Sequence, residues 1–232
     1  MQQQPWQSTV LQSMINRLAG IGRVEPYGSL VDASELDSWS DLDVRIELAE
    51  SIDVAALGVG EIWAWQDLAD EAGQTLRLVL ADGRRIDLSV INAVIMMPRP
   101  PADNQIRFDA ALAASRYGRG NQLIGLHLTL GILREALVLS MLLRDRAEGT
   151  DHHRLGGGEY EGRAASATKI ITASGVDQRP TIVERACQLY GQWRSELESD
   201  YRPDWSGLSA LIELGTGHSR SDDQAHHAHE IR

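Results

Sequence analysis

Two runs of alternating polar and apolar residues, 75–80 (TLRLVL) and 84–91 (RRIDLSVI), are separated by Ala81-Asp82-Gly83. Asp-Gly between runs of that period is a strong short-range signal for a β-hairpin. A lone hairpin is marginal in water, so neighbouring chain must add strands or a covering helix. Both are legible upstream. Residues 41–48 (DLDVRIEL) alternate in the same way, and residues 23–27 form a shorter extended run ending at Gly28-Ser29. Before them, Val10, Leu11, Met14, Ile15 and Leu18 recur at helical spacing until Gly20 and Gly22 stop the pattern. The first half is therefore mixed α and β.

Strand patterns end at Pro98, Pro100 and Pro101. Beyond them come long apolar helices: one over about 121–148, expected to be apolar nearly all round and central to its domain, and one from Pro180 to about residue 200. A short helix over 208–214 closes the pattern, and the chain after Gly215 lacks apolar periodicity. The expected class is α+β: residues 1–104 hold a small mixed sheet flanked by helices, residues 105–214 are all-helical, and residues 215–232 form a flexible tail.

The charge balance narrows the partners. With 22 Lys plus Arg against 33 Asp plus Glu, the net charge is −11, which disfavours broad attraction to nucleic acid or anionic lipid and suits a neutral or cationic partner. One cysteine, Cys187, excludes an internal disulfide framework and any multi-cysteine metal site. The opening MQQQPWQSTV shows no basic leader, and no run reaches ~20 uninterrupted apolar residues, so a cytoplasmic protein without a membrane span is expected. Lysine occurs once, at Lys169, which leaves phosphate contacts almost wholly to arginine.

Three carboxylates fall on the predicted strands. Period 2 places Asp41 and Asp43 on one face while Leu42 and Val44 enter the core, and Asp87 on a neighbouring strand would complete a triad. Like charges that close need a cation or an upward pKa shift, and hard ions such as Mg²⁺ bind through one or two carboxylates plus substrate phosphates. Gly28 allows close backbone approach, and turn N–H groups beside the Ser29 hydroxyl can cradle terminal phosphates. Singly, a Gly-Ser turn, an Asp-x-Asp strand or a hairpin-capping Asp is more often structural. It is their order and spacing together that point to phosphoryl transfer.

A strand ending in Gly-Ser, about ten residues, then Asp-x-Asp and a later strand Asp resembles the nucleotidyltransferase superfamily, with the fold of the DNA polymerase β type. GS…SDLDV…RIDLSVI follows that pattern over residues 24–91. The helical second half looks most like the aminoglycoside and lincosamide nucleotidyltransferases. The resemblance implies Gly28 and Ser29 as the phosphate-binding pair, Asp41, Asp43 and Asp87 as metal ligands, and Mg²⁺ with ATP or another nucleoside triphosphate as cofactor and co-substrate. It implies an adenylyltransferase acting on a small-molecule hydroxyl, with 1–104 as the catalytic domain and 105–214 as the substrate-binding one. Pro26 departs from the pattern, since it removes a ladder donor and requires an edge position or a bulge.

Weaker candidates lie elsewhere. His127, Arg134, Glu135 and Asp145 interrupt the central apolar helix, either as buried pairs or at a site; the resemblance implies that a glutamate of the helical domain can act as general base, so Glu135 competes with Asp87 for that role. Arg154, beside Gly156-Gly157-Gly158, is a candidate phosphate ligand, as is Lys169, whereas His152-His153 reads as a solvated turn. Trp39 could stack on a base or substrate, while Trp193 reads as core. The alternative function is an antitoxin-type nucleotidyltransferase that modifies or binds a protein; a homodimer is left open.

Overall fold

A computed structural model describes residues 5–31, 36–152, 158–172 and 179–229. The mixed α+β class is as expected. The chain divides into two units, Met1–Phe108 with Glu213–Arg232, and Asp109–Ile212.

In the first unit, β1 (Gly22–Pro26), β2 (Leu42–Leu48), β4 (Ile62–Asp70), β5 (Gly73–Leu80) and β6 (Arg85–Ile91) form a sheet of order β1-β2-β6-β5-β4. Only β2 and β6 run parallel within it; the other pairs are antiparallel. The Asp-Gly hairpin forms as read: Gly83 takes φ +84°, and the Asp82 carboxylate accepts from the Arg84 amide at 3.2 Å. Two short strands, β3 (Ile52–Asp53) and β7 (Ile95–Met96), pair separately in parallel.

Alternation makes this sheet two-faced. Leu42, Val44, Ile46, Leu76, Leu78, Ile86, Leu88 and Val90 are buried in one core with Val10, Met14 and Leu18 of the α1 region, where α1 spans Trp6–Arg17. The opposite parity carries Asp43, Arg45, Arg77, Arg85 and Asp87. Pro26 closes β1, an edge strand, where its missing donor breaks no ladder inside the sheet. Strand β4 escapes the sequence pattern because a bulge between Ile62 and Ala64 interrupts its alternation and its second half is polar and exposed.

The second unit is helical. Helix α2 (Asn104–Gly118) leads into it, followed by α3 (Gln122–Glu148), α4 (Gly162–Thr172) and α5 (Arg179–Leu197). The expected break at 104/105 falls at the start of α2, while the division lies one turn further on, at Phe108, a residue buried in the first unit. The α3 helix is amphipathic and not apolar all round in its surroundings: Gly125, Thr129, Ile132, Leu133, Ala136 and Ser140 are buried, whereas Leu123, Ile124, Leu126 and Leu130 are exposed. By length and composition alone it could cross a membrane, with a third of its most apolar window buried.

The final helix, α6, runs Ser206–His229 where a short helix and a tail were expected. An apolar stripe announces a helix only as far as Leu214, but no proline follows to end it. From Glu213 on, α6 belongs to the first unit.

Candidate active site

The parallel β2–β6 pair brings the carboxylates together. Asp43 and Asp87 are register partners across it, and Asp41 stands two residues earlier, on the same parity, where the chain enters β2. One carboxylate oxygen from each lies within 4.8 Å of the others, and all three residues are partly buried. Behind them Leu42, Val44, Ile86 and Leu88 are completely buried, so the strand ends cannot slide without flipping side chains into the wrong layer.

The Gly-Ser turn is pressed against this group. Residues Gly28–Leu30 form a single 3₁₀ turn after β1, and Gly28 has φ +66°. A Cβ at Gly28 would stand 3.0 Å from Asp43 Cγ, so both the backbone angle and the close approach demand glycine. The Tyr27 amide donates to the Asp43 carbonyl at 3.1 Å and fixes the turn to β2. Ser29 sits within the turn, partly exposed.

Two arginines the sequence reading did not single out flank the triad. Arg85, nearly buried, places Nη2 3.3 Å from Asp41 Oδ2 and donates to the Trp39 carbonyl at 2.8 Å. Arg77, partner of Asp87 across β5–β6 and half exposed, places Nε 3.4 Å from Asp87 Oδ2 and donates to Gln66 Oε1 at 3.3 Å. Strand parity was the available signal: Arg85 is two residues from Asp87, and Arg77 has the outward phase of its strand.

The electrostatics still favour neutralisation. Burial, then the Asp41 charge, push Asp87 up to about 6; Arg85 and Arg77 pull against this, and Asp43 adds to the rise. The Tyr27 hydroxyl is raised as well, first by burial and then by the Asp43, Asp87 and Asp41 charges. Three oxygens in a space of that size, with one carboxylate driven towards its protonated form, fit a hard divalent cation.

Most remaining candidates belong to the second unit. Glu135 is partly exposed on α3 in the second unit and binds its neighbour Arg134 at 2.7 Å; the expectation of a buried charge there gives way because both point to the open side of the helix. His127 is exposed. Asp145 is buried, accepting from the Thr150 hydroxyl at 3.2 Å with Arg144 Nη2 at 3.5 Å, an arrangement that fastens the C-terminal end of α3. Lys169 is exposed on α4, and Arg154 and His153 lie outside the described residues. Trp39 is buried rather than presented for stacking, because its ring is covered by Gly215. Trp193 is core, with the Arg163 guanidinium 5.2 Å over its ring.

No family model matches the chain, and no curated protein matches it in sequence. Among solved structures it is similar to an aminoglycoside 6-adenyltransferase from Bacillus subtilis, at 11% identity over 91% of this chain and 98% of that one, with a TM-score of 0.34. What the site can do is therefore read from its own residues.

Proposed function

We propose that the chain is a Mg²⁺-dependent nucleotidyltransferase that moves a nucleoside monophosphate, AMP from ATP, to a hydroxyl of a small molecule and releases pyrophosphate. The observation that carries this reading is the convergence of Asp41, Asp43 and Asp87 within 4.8 Å, beside a glycine whose backbone has no room for a side chain. The acceptor class, an aminoglycoside or lincosamide antibiotic, comes from the sequence resemblance and agrees with a −11 chain favouring cationic molecules.

Asp41 and Asp43, with Asp87, would hold the metal, which supplies charge neutralisation for the triphosphate and for the oxygens of the displacement. The chain's own residues do the rest. The Gly28–Leu30 turn offers backbone N–H groups and the Ser29 hydroxyl to the terminal phosphates, placing them against the strand ends. Arg77, exposed on one side, is free to give its remaining guanidinium donors to a phosphate oxygen. Asp87, on β6 beside the other two carboxylates, is the group we assign to accept the hydroxyl proton as the acceptor attacks in line. Glu135 is the rival base, and it is handicapped by its ion pair with Arg134.

The test is to incubate the protein with each labelled nucleoside triphosphate, Mg²⁺ and a panel of aminoglycosides and lincosamides. The expected result is one nucleoside monophosphate of added mass on a small molecule and an equal release of pyrophosphate. Mass added to a protein instead, or nucleotide consumed with no adduct, would overturn the acceptor assignment.

A further inference from the structure

The residues just before Asp41 are held from three sides. In the turn 37–40, the Asp37 carboxylate accepts from the Trp39 amide at 2.9 Å and from the Ser40 hydroxyl at 2.9 Å, and the Asp37 amide donates back to Ser40 Oγ at 2.9 Å. Gln7 of α1 donates to the Ser40 carbonyl at 3.3 Å, and Arg85 of β6 donates to the Trp39 carbonyl at 2.8 Å. The third hold comes from far along the chain. Ser38 Oγ donates to the Gly215 carbonyl at 2.7 Å, and the α6 backbone at Gly215 lies directly on the Trp39 indole.

That contact leaves no slack. A Cβ at Gly215 would stand 2.5 Å from Trp39 Cδ2 and Cζ2, closer than carbon atoms approach, so any side chain there must displace the ring or the helix. The ring is buried and cannot swing into solvent without exposing apolar surface. Its backbone carbonyl is bonded to Arg85 Nη2, which is also 3.3 Å from Asp41 Oδ2. A displaced Trp39 therefore moves the guanidinium that orients Asp41, or breaks its bond to it. Gly215 has helical backbone and no positive φ, so packing, and not conformational freedom, is what requires glycine there.

We propose that α6 positions the metal-binding carboxylates: Gly215 and Ser38 clamp Trp39, Trp39 holds Arg85, and Arg85 fixes Asp41, which makes Gly215 a positioning residue some 170 positions in sequence from the strand it serves. The functional half of this statement rests on the metal-site reading above; the mechanical half does not.

The experiment compares the full-length wild type with Gly215→Ala, Ser38→Ala and the double variant Gly215→Ala/Trp39→Phe. It uses amide hydrogen exchange over residues 37–43, Mn²⁺ binding by calorimetry, and the global unfolding midpoint. Gly215→Ala should speed exchange in 37–43 and weaken Mn²⁺ binding by ~10- to 100-fold, the usual cost of disturbing the partners of metal ligands. The smaller phenyl ring of the double variant should make room for the new methyl and restore both readings. Ser38→Ala, which cannot clash, should raise exchange in the same segment and weaken Mn²⁺ binding less, and it keeps the test open if Gly215→Ala unfolds. Unchanged exchange in both single variants overturns the clamp. Altered exchange with Mn²⁺ bound as tightly as by the wild type overturns its role in positioning. Faster exchange in the variants, together with a wild type that binds no Mn²⁺, would leave the clamp standing and remove the metal-site reading instead.

Discussion

The polar face of the sheet and the outer face of α3 both belong to well-packed elements, yet they are built on opposite rules. On the sheet, Asp43, Arg45, Arg77, Arg85 and Asp87 share one parity, a face of both charge signs on which Arg45 and Arg77 are exposed, Asp43 and Asp87 partly buried and Arg85 buried. On α3, Leu123, Leu126 and Leu130 face outward while the buried side includes Thr129 and Ser140. In the first case burial hides the apolar residues and leaves chemistry at the surface. In the second it hides hydroxyls that bond to their own backbone, as Thr129 Oγ1 does to the Gly125 carbonyl at 2.8 Å, and leaves leucine outside. Polarity is thus meaningful on the sheet because it is organised by register, whereas on α3 Arg134 and Glu135 pair with each other and His127 is solvated.

The sharpest way to break this contrast is to remove a ligand from the sheet face. Asp41→Asn or Asp43→Asn should lower transfer by ~10² or more, the scale of losing one electrostatic contributor to the transition state, with folding intact because each change relieves repulsion. Transfer assays with Mg²⁺ alongside a thermal melt decide it; near-wild-type turnover in either variant would mean that the triad holds no metal. The companion pair is Asp87→Ala and Glu135→Ala. The former should cost ~10² to 10⁴ in rate and weaken nucleotide binding, while the latter, at an exposed ion pair, should change little beyond a few tenths of a kcal/mol of stability. A large rate loss confined to Glu135→Ala would move the base to the helical unit.

A step smaller in effect is the pH dependence of stability. Asp87 has a folded value of about 6 against an ordinary 3.8, so between those limits the folded chain holds more protons than the unfolded one. Stability contributed by this group is complete below about pH 4 and is lost as pH rises through 6, an effect of at most about 3 kcal/mol at 1.36 kcal/mol per pH unit. Urea melts across pH 4–7 should show that loss against the wild-type background, absent in Asp87→Asn and reduced by millimolar Mg²⁺ in the wild type. A slope that persists unchanged in Asp87→Asn would assign it to another group.

How much of this could be read from residues alone follows from the kind of information each feature needs. The β5–β6 hairpin, β2 and the triad depend on period 2 and on residues close in sequence, so DLDVRIEL and RRIDLSVI disclose them. Arg77 and Arg85 were legible in principle, since parity places them on the face of Asp87, but an arginine on a strand is usually solvated and draws no notice. Gly215 against Trp39 was not legible, because it joins segments about 175 residues apart and involves a glycine with ordinary helical backbone. The surroundings of Glu135 were not legible for a related reason: hydropathy shows that α3 is apolar but does not say which side another helix covers.

The smallest expected effect tests that last point on α3 itself. If its outward leucines are only solvated surface, Leu123→Gln and Leu130→Gln should each shift stability by no more than about 0.5 kcal/mol, because neither side chain has a packed cavity to lose. Leu133→Ala, three residues from Leu130 but buried, should cost ~2–5 kcal/mol through lost transfer energy and the void left behind. Chemical denaturation at fixed protein concentration measures all three. The contrast depends on the outward face having no partner in solution. A second copy covering that face would make the glutamine variants behave like the buried one, and the midpoint would then rise with protein concentration in the wild type but not in the variants. Equal, small effects at Leu123, Leu130 and Leu133 would instead mean that α3 is packed the other way round from the burial described above.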